Sequence, residues 1–488
     1  MSDEQKELIR IKVKGGVLSP SELRKIIDMA ERLGLKSIHF GSRQDILFPF
    51  SSGQTNLIQQ FQDIKYEFLN RKKTQNISSS YVTADIFSST SWLNGATYLY
   101  ILEQFGDDPS LEINIVDPQQ QIVPLFAAQL NFIASPEEDY WYLYLRLPNM
   151  EGIHCFPALI YTWDIALIAR TIESTYEEME NIQELFEELN NELDTNNRTI
   201  SQPLQLPFQA FPYYEGMNKM SIDKYWLGLY WRNNCYDLAF LKAMCTLCLD
   251  CKIGKICLTP WKSFIVKGID RRDRLRWEKL LGKFGINVRH SSLELNWHLP
   301  LIDGEALALK QFIVRNFDQN DISTYGLTFS IKSSYGINFT SIVIEKNPQP
   351  KIVNDFQIRP TYNVLYCENF NPNSLKYLTY AQDVDKIELP GLLMELSQLY
   401  FEQLGEGDDQ NELLPENLSF QKKTLLPEAW ECQDCLSRYH IDLGDSFNGI
   451  EPGIAFEDLP ETYECPVCGS PKSHFHKVQP EANGVNLQ

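Results

Sequence analysis

Apolar and polar positions alternate in one order twice along this chain. In ELRKIIDMAERLGLKSIHFGSRQDILFPF, residues 22–50, a helical apolar pattern breaks at a glycine. It then gives a short strand, a serine-containing turn and a second strand. DLAFLKAMCTLCLDCKIGKICLTPWKSFIV, residues 237–266, repeats that order with a Thr-Pro turn. Ile38 to Gln44 align with Ile256 to Lys262 without a gap, and LEINIVD at 111–117 corresponds to YGLTFSI at 325–331. Helices interleaved with strand pairs in two copies predict an α+β fold built from two pseudo-equivalent halves.

The rest of the pattern organises the chain around these copies. Residues 8–150 and 221–346 alternate helix-like and strand-like segments. Residues 171–195 predict one acidic amphipathic helix, with Ile182, Leu185, Phe186 and Leu189 on its apolar stripe. The proline-rich SQPLQLPFQAFPYYEG reads as an extended connection. A helix is expected near 390–404, followed by an acidic tether, GEGDDQNELLPENL. The expected divisions are 1–150 (first half), 151–220 (linker with acidic helix), 221–346 (second half), 347–426 (helical connection and tether) and 427–478 (a small metal domain).

Composition narrows the function. A chain of 488 residues has room for about three domains. A net charge of -21 argues against nonspecific nucleic-acid binding, which needs a basic face, and suits docking on basic partner surfaces. No run of 18 apolar residues suggests a membrane span, and the first residues lack a signal-peptide pattern. The expected location is the cytoplasm. There, eleven cysteines read as metal ligands or buried small residues rather than disulfides. No P-loop, dinucleotide-binding G-x-G-x-x-G, H-E-x-x-H or G-x-S-x-G pattern occurs.

The strongest chemical signal lies near the C-terminus. Cys432 and Cys435, then Cys465 and Cys468, form two C-x-x-C pairs separated by twenty-nine residues. Two such turns facing each other supply a tetrahedron of thiolates, which suits zinc or iron equally by ligand type. Between the pairs stand Gly444, Asp445, Gly449, Ile450, Pro452, Gly453, Phe456, Asp458, Leu459 and Pro460. Aromatic residues Trp430, Tyr439, Phe456, Tyr463 and Phe475 surround them. This segment resembles rubredoxin, which implies a single Fe(III)/Fe(II) ion carrying one electron at a time. Leu436 stands where rubredoxins usually have glycine, and a left-handed leucine there would cost about 1–2 kcal/mol. His440, His474 and His476 read as surface residues. Residues 427–478 hold ten acidic and three basic residues, favouring basic redox partners.

The repeated motifs carry a second resemblance. VKGGVLSPSELRKI with IHFGSRQDILF, and ICLTPWKSFIVKGI in the second copy, resemble the ferredoxin-like half-domain of siroheme nitrite and sulfite reductases. That resemblance implies siroheme bridged to a [4Fe–4S] cluster, with Arg43 meeting heme carboxylates or the anionic substrate. An arginine after a strand and turn can itself grip an oxyanion; it can equally be a surface or ion-paired residue. The family's C-x5-C followed by C-x3-C cluster pattern is not found; Cys251 and Cys257 have the first spacing, but no C-x3-C follows.

Cys245, Cys248, Cys251 and Cys257 are the candidate second site, for an Fe–S cluster, zinc or redox thiols. Cysteines three apart on a helix can instead be core residues. Cys155, Cys235 and Cys367 stand alone and read as buried and inert. The expected function is electron transfer in a nitrite, sulfite or nitrate reduction system. The alternatives are a divergent siroheme-type reductase with a fused rubredoxin and a non-catalytic docking scaffold.

Overall fold

A computed structural model describes residues 7–50, 61, 63–69, 74–192, 195–300, 303–332, 337–348, 352–353, 356–357, 360–406, 429–435, 437–441, 444–445, 447–451 and 453–478. The chain divides into two compact units after Glu406. The expected acidic tether and Leu436 lie outside the described residues, as does the side chain of His440.

The first unit begins with β1 (Glu7–Ile11), β2 (Val17–Leu18), α1 (Pro20–Arg32), β3 (Ser37–Phe40), β4 (Ile46–Phe50) and β5 (Glu67–Phe68). Ser19 starts α1 through a capping box with Glu22, with Pro20 in the first turn. Leu23, Ile26, Ile27 and Ala30 recur at helical spacing and bury one face. Next come β6 (Ile77–Ser79), α2 (Gly95–Gln104), β7 (Ile113–Val116), β8 (Leu130–Ala134), β9 (Tyr140–Leu145), β10 (His154–Cys155), β11 (Ala158–Tyr161), α3 (Ile165–Thr175), α4 (Ile182–Glu192) and β12 (Arg198–Thr199). Thus the single helix expected over 171–195 is broken. Asn181 accepts hydrogen bonds from the Gln183 and Glu184 amides and caps a new helix, α4.

The order then recurs. A second set contains β13 (Gly216–Lys219), β14 (Lys224–Tyr230), β15 (Tyr236–Asp237), α5 (Leu238–Asp250), β16 (Ile256–Leu258), β17 (Ser263–Asp270) and α6 (Arg274–Lys283). It continues with β18 (Trp297–His298), α7 (Gly304–Gln319), β19 (Phe329–Lys332), β20 (Ile342–Lys346), β21 (Ile352–Val353), β22 (Phe356–Gln357), β23 (Tyr362–Cys367), β24 (Tyr377–Val384) and α8 (Leu389–Glu406).

Sheet topology makes the repeat explicit. One sheet runs β15-β3-β4-β1-β5 and its counterpart runs β2-β16-β17-β14-β13. Each half lends a short strand to the other: β2 pairs with β16, and β15 with β3. Helices α1 and α5 pack together, and Lys242 reaches Glu31 at 2.6 Å. Their shared core includes Ile27, Phe40, Leu241 and Phe264.

Two further sheets also correspond. β6, β7 and β8 are parallel, and β9 and β11 return antiparallel. β18, β19 and β20 are likewise parallel, and β23 and β24 return antiparallel. The sequence correspondence between 111–117 and 325–331 therefore falls on the equivalent strands β7 and β19. Among the described residues, no helix is long and apolar enough to cross a membrane.

Candidate metal centre

The second unit builds its site on a small sheet, β26-β25-β27, formed by β25 (Ala429–Cys432), β26 (Arg438–His440) and β27 (Phe475–Val478). Its core is aromatic. Trp430 stacks on Phe456 with centroids 4.5 Å apart, and Tyr439, Tyr463 and Phe475 pack around that ring. Asp445 pins the connecting loop, accepting from the Phe447 and Asn448 amides and from the Tyr463 hydroxyl at 2.9 Å. That bond explains a buried tyrosine beside a carboxylate.

The two C-x-x-C turns have matching local geometry. The Cys432 amide donates to the Ser437 carbonyl and the Cys465 amide to the Ser470 carbonyl, both at 2.8 Å. Gly469 has φ +74°, a left-handed conformation that glycine adopts freely, and its amide donates to the Cys465 carbonyl. These turns bring Cys432, Cys435, Cys465 and Cys468 together, with all four sulfurs within 4.8 Å of one another. The Cys432–Cys468 and Cys435–Cys465 sulfur separations are 3.6 and 3.5 Å. A tetrahedral ion with metal–sulfur bonds of about 2.3 Å requires edges of about 3.8 Å, so the four sulfurs fit one metal ion.

Electrostatics agree with that fit. Burial, with a smaller rise from the hydrogen bond to Cys435, pushes the Cys465 thiol up to about 12. A cation among the sulfurs reverses this, because coordination deprotonates the thiol. Cys432 and Cys465 are buried, whereas Cys435 and Cys468 are partly exposed, so one edge of the centre meets solvent. His474 and His476 are about half exposed and lie against Asp434 and Glu431.

Sequence reading missed two side chains beside the sulfurs. The Ser437 hydroxyl lies 2.9 Å from the Cys465 sulfur, and the Ser470 hydroxyl 3.0 Å from that of Cys468. Their signal was a repeated Cys-x-Ser after each pair, at Cys435-Leu436-Ser437 and Cys468-Gly469-Ser470.

The other candidate residues stand apart from one another. Cys245 and Cys248 lie in the core shared by α1 and α5, whereas Cys257 on β16 faces a different core. Cys251 caps α5 and lies 3.4 Å from an Arg276 guanidinium nitrogen. The sheet therefore separates the candidate ligands, and the structure does not gather these four cysteines. Burial pushes the Cys245 thiol up to about 12 and raises those of Cys248 and Cys257, favouring the uncharged form. Of the isolated cysteines, Cys367 is buried, but Cys155 and Cys235 are exposed, at an edge strand and in the turn before β15.

Arg43 is turned into the fold. It donates to the Asn114 side-chain oxygen at 2.7 Å and to the Asn76 and Ile113 carbonyls at 3.0 and 2.8 Å. It thereby ties the hairpin to the starts of β6 and β7. A siroheme would need a cleft for its macrocycle and cations for its carboxylates. Beside Arg43, the void lined by Asn114, Pro260 and Phe339 measures about 30 Å³. Trp261 fills the turn position equivalent to Arg43 and donates its indole N–H to the Ile122 carbonyl at 2.7 Å. Lys262 is spent on the Leu299 carbonyl at 2.8 Å. The described residues around Arg43 do not fit siroheme.

Residues 426–475 match the rubredoxin family, and residues 2–53 match the nitrite/sulfite reductase ferredoxin-like half domain. The chain is 42% identical over 57 residues to Rubredoxin-2 of Desulfovibrio desulfuricans, spanning 11% of this chain and 92% of that protein. It is 41% identical over 51 residues to Rubredoxin-2 of Chlorobaculum tepidum, spanning 10% of this chain and 98% of that protein. The solved structure of the Mycobacterium tuberculosis NirA protein superposes with a TM-score of 0.60 at 12% identity, over 83% of this chain and 84% of that one. At that identity the likeness is one of fold.

Proposed function

Because the chain belongs to the rubredoxin family through its C-terminal domain, whose chemistry is iron-based electron transfer, we propose that it passes single electrons within a nitrite, sulfite or nitrate reduction system. The carrying observation is the four-sulfur cluster with one solvent-facing edge. Four thiolates hold iron tetrahedrally in both oxidation states, so little rearrangement accompanies each transfer. Cys435 and Cys468 are the sulfurs through which a docked partner would exchange the electron. The acidic surface of this domain suits a basic docking face on that partner.

The reductase-like unit supports the choice of system through its fold alone. A self-contained siroheme enzyme is disfavoured by the closed turn at Arg43 and Trp261. The experiment is an iron count and visible spectrum of the purified chain. The reduced chain is then mixed with a siroheme nitrite or sulfite reductase and its anion. We expect one iron per chain, ferric tetrathiolate bands that bleach on reduction, and their return when reductase and anion are both present. Zinc alone in the cluster would sink electron transfer. Normal bleaching with no reoxidation by either reductase would sink the choice of system.

A further inference from the structure

A row of aromatic rings lies at the surface of the first unit. β9 and β11 are antiparallel and set Tyr140 opposite Tyr161, with ring centroids 5.4 Å apart. Two residues on, where the chain turns into α3, Trp163 stacks on Tyr161 at 4.9 Å. Tyr100 of α2 closes the row, 5.1 Å from Trp163. Trp163 is 45% exposed, and Leu167, one turn along the chain, is 43% exposed. A single exposed apolar side chain needs no explanation. A continuous row centred on an exposed tryptophan has the composition of a binding hot spot.

Charge selects what covers this row. Glu103 lies one helical turn from Tyr100, Glu137, Glu138 and Asp139 precede Tyr140, and Asp164 follows Trp163. Against these five carboxylates stand Arg170 on α3 and Arg198 on β12. An acidic rim repels phosphate-bearing polymers and anionic lipid surfaces, and it attracts a basic protein segment. The row already holds one group of that kind. Arg198, on the edge strand β12, lays its guanidinium over the Tyr140 ring, 4.3 Å from the centroid, and pairs with Glu137 at 3.1 Å. A ring face and a carboxylate are the two contacts that suit a planar guanidinium. At the other end of the row stand an exposed indole, Trp163, and the next residue, Asp164.

We propose that this face docks an arginine-bearing segment of a partner protein. One guanidinium lies against Trp163, its aliphatic stem covers Leu167, and further cations meet the acidic rim. Lysine at the same place would keep the charge and lose the planar contact. The docking belongs to the first unit and does not depend on the electron that the sulfur cluster carries.

The test titrates the full chain with tetra-arginine and with tetra-lysine, at about 0.15 M salt to screen long-range attraction, and follows binding by calorimetry. Tetra-arginine should bind saturably and tetra-lysine roughly fivefold more weakly. Trp163→Leu keeps every charge and an apolar side chain, and should lower tetra-arginine affinity roughly fivefold. Trp163→Phe keeps a ring and should restore most of that loss. The double variant Glu103→Gln, Glu138→Gln changes exposed residues and should weaken both peptides alike. Each variant is compared at a thermal unfolding midpoint matching the parent chain. Three outcomes would overturn the proposal: equal affinity for the two peptides, unchanged tetra-arginine affinity in Trp163→Leu, or binding of phosphatidylserine vesicles or single-stranded DNA that Trp163→Leu removes.

Discussion

The sulfur cluster and the Arg43 turn each gather polar atoms, but those atoms differ in what remains to be bound. In the cluster, each of two turns is fixed by its own backbone amide-to-carbonyl bonds, and together they leave four sulfurs converging on one point. In the turn, the two terminal Arg43 nitrogens close on Asn76, Asn114 and Ile113 and hold the fold together, while its Nε is buried without a partner among the described residues. The second hairpin sharpens the contrast. Gln44 and Lys262 both have φ +57°, and the turns close through matching bonds, Gly41 to Asp45 and Thr259 to Ser263, each at 2.9 Å. The backbone is repeated because both sheets need the same turn. The side chains have diverged: Gln44 bridges to Ser79 and Leu258, whereas Lys262 reaches the Leu299 carbonyl. The two hairpins therefore share a backbone and differ in the partners their side chains take.

Removing a cluster ligand should break the comparison most strongly. Cys465→Ser should abolish stable iron binding. Structural zinc in zinc-finger peptides is worth about 10–16 kcal/mol, and a loss on that scale should cost the C-terminal metal domain its cooperative folding. Hydrogen exchange and an iron count would follow this, with protection in residues 7–406 unchanged. Next in size is Gln44→Leu in the other unit. It strands the Ser79 amide and two carbonyls in a buried site. At about 1–3 kcal/mol for each unsatisfied group, the loss should be about 4 kcal/mol by denaturant unfolding. Iron content should not change.

Acidity probes the second hairpin. Burial, with Lys310 as a smaller influence, pushes Lys262 down to about 7 from an ordinary 10.5. Burial also pushes His298 down to about 3 from 6.5. The unfolded chain then holds more protons than the folded one between each pair of values. Stability from Lys262 rises from about pH 7 to 10.5, and that from His298 rises from about pH 3 to 6.5. Lys262→Met should remove the upper rise, a difference of about 3 kcal/mol between pH 7 and 10. An identical pH profile in the variant would show that Lys262 stays charged in the fold.

The same contrast explains what could be read from sequence. The four ligands sit in short turns with fixed spacing, so local pattern alone brought Cys432, Cys435, Cys465 and Cys468 together. The repeat at Ile38–Gln44 and Ile256–Lys262 also located two equivalent hairpins, because apolar periodicity reports the sheet. The strand exchange between β2 and β15 was invisible, since two-residue strands carry no period. The fate of Arg43 depends on Asn76 and Asn114, partners distant in sequence. Cys245 to Cys257 looked like a site along the chain because spacing does not report that a sheet lies between them. Asn181 capped a helix inside a stretch whose apolar stripe read straight through.

The smallest effect tests whether residues around the sulfurs tune the centre. The Ser437 hydroxyl lies 2.9 Å from Cys465 and 3.2 Å from Cys435. Once iron binds, these sulfurs are acceptors, so the hydroxyl must donate. Reduction adds a negative charge to the iron–sulfur unit and strengthens that bond, which stabilises the reduced state more than the oxidised one. Ser437→Ala should therefore lower the reduction potential. A differential of about 0.5–1 kcal/mol corresponds to about 20–40 mV for one electron. Ser437→Thr keeps the hydroxyl and should restore most of the loss. Voltammetry of the iron-loaded chain measures both variants. If alanine and threonine shift the potential equally, the Ser437 side chain acts through packing and not through its hydroxyl.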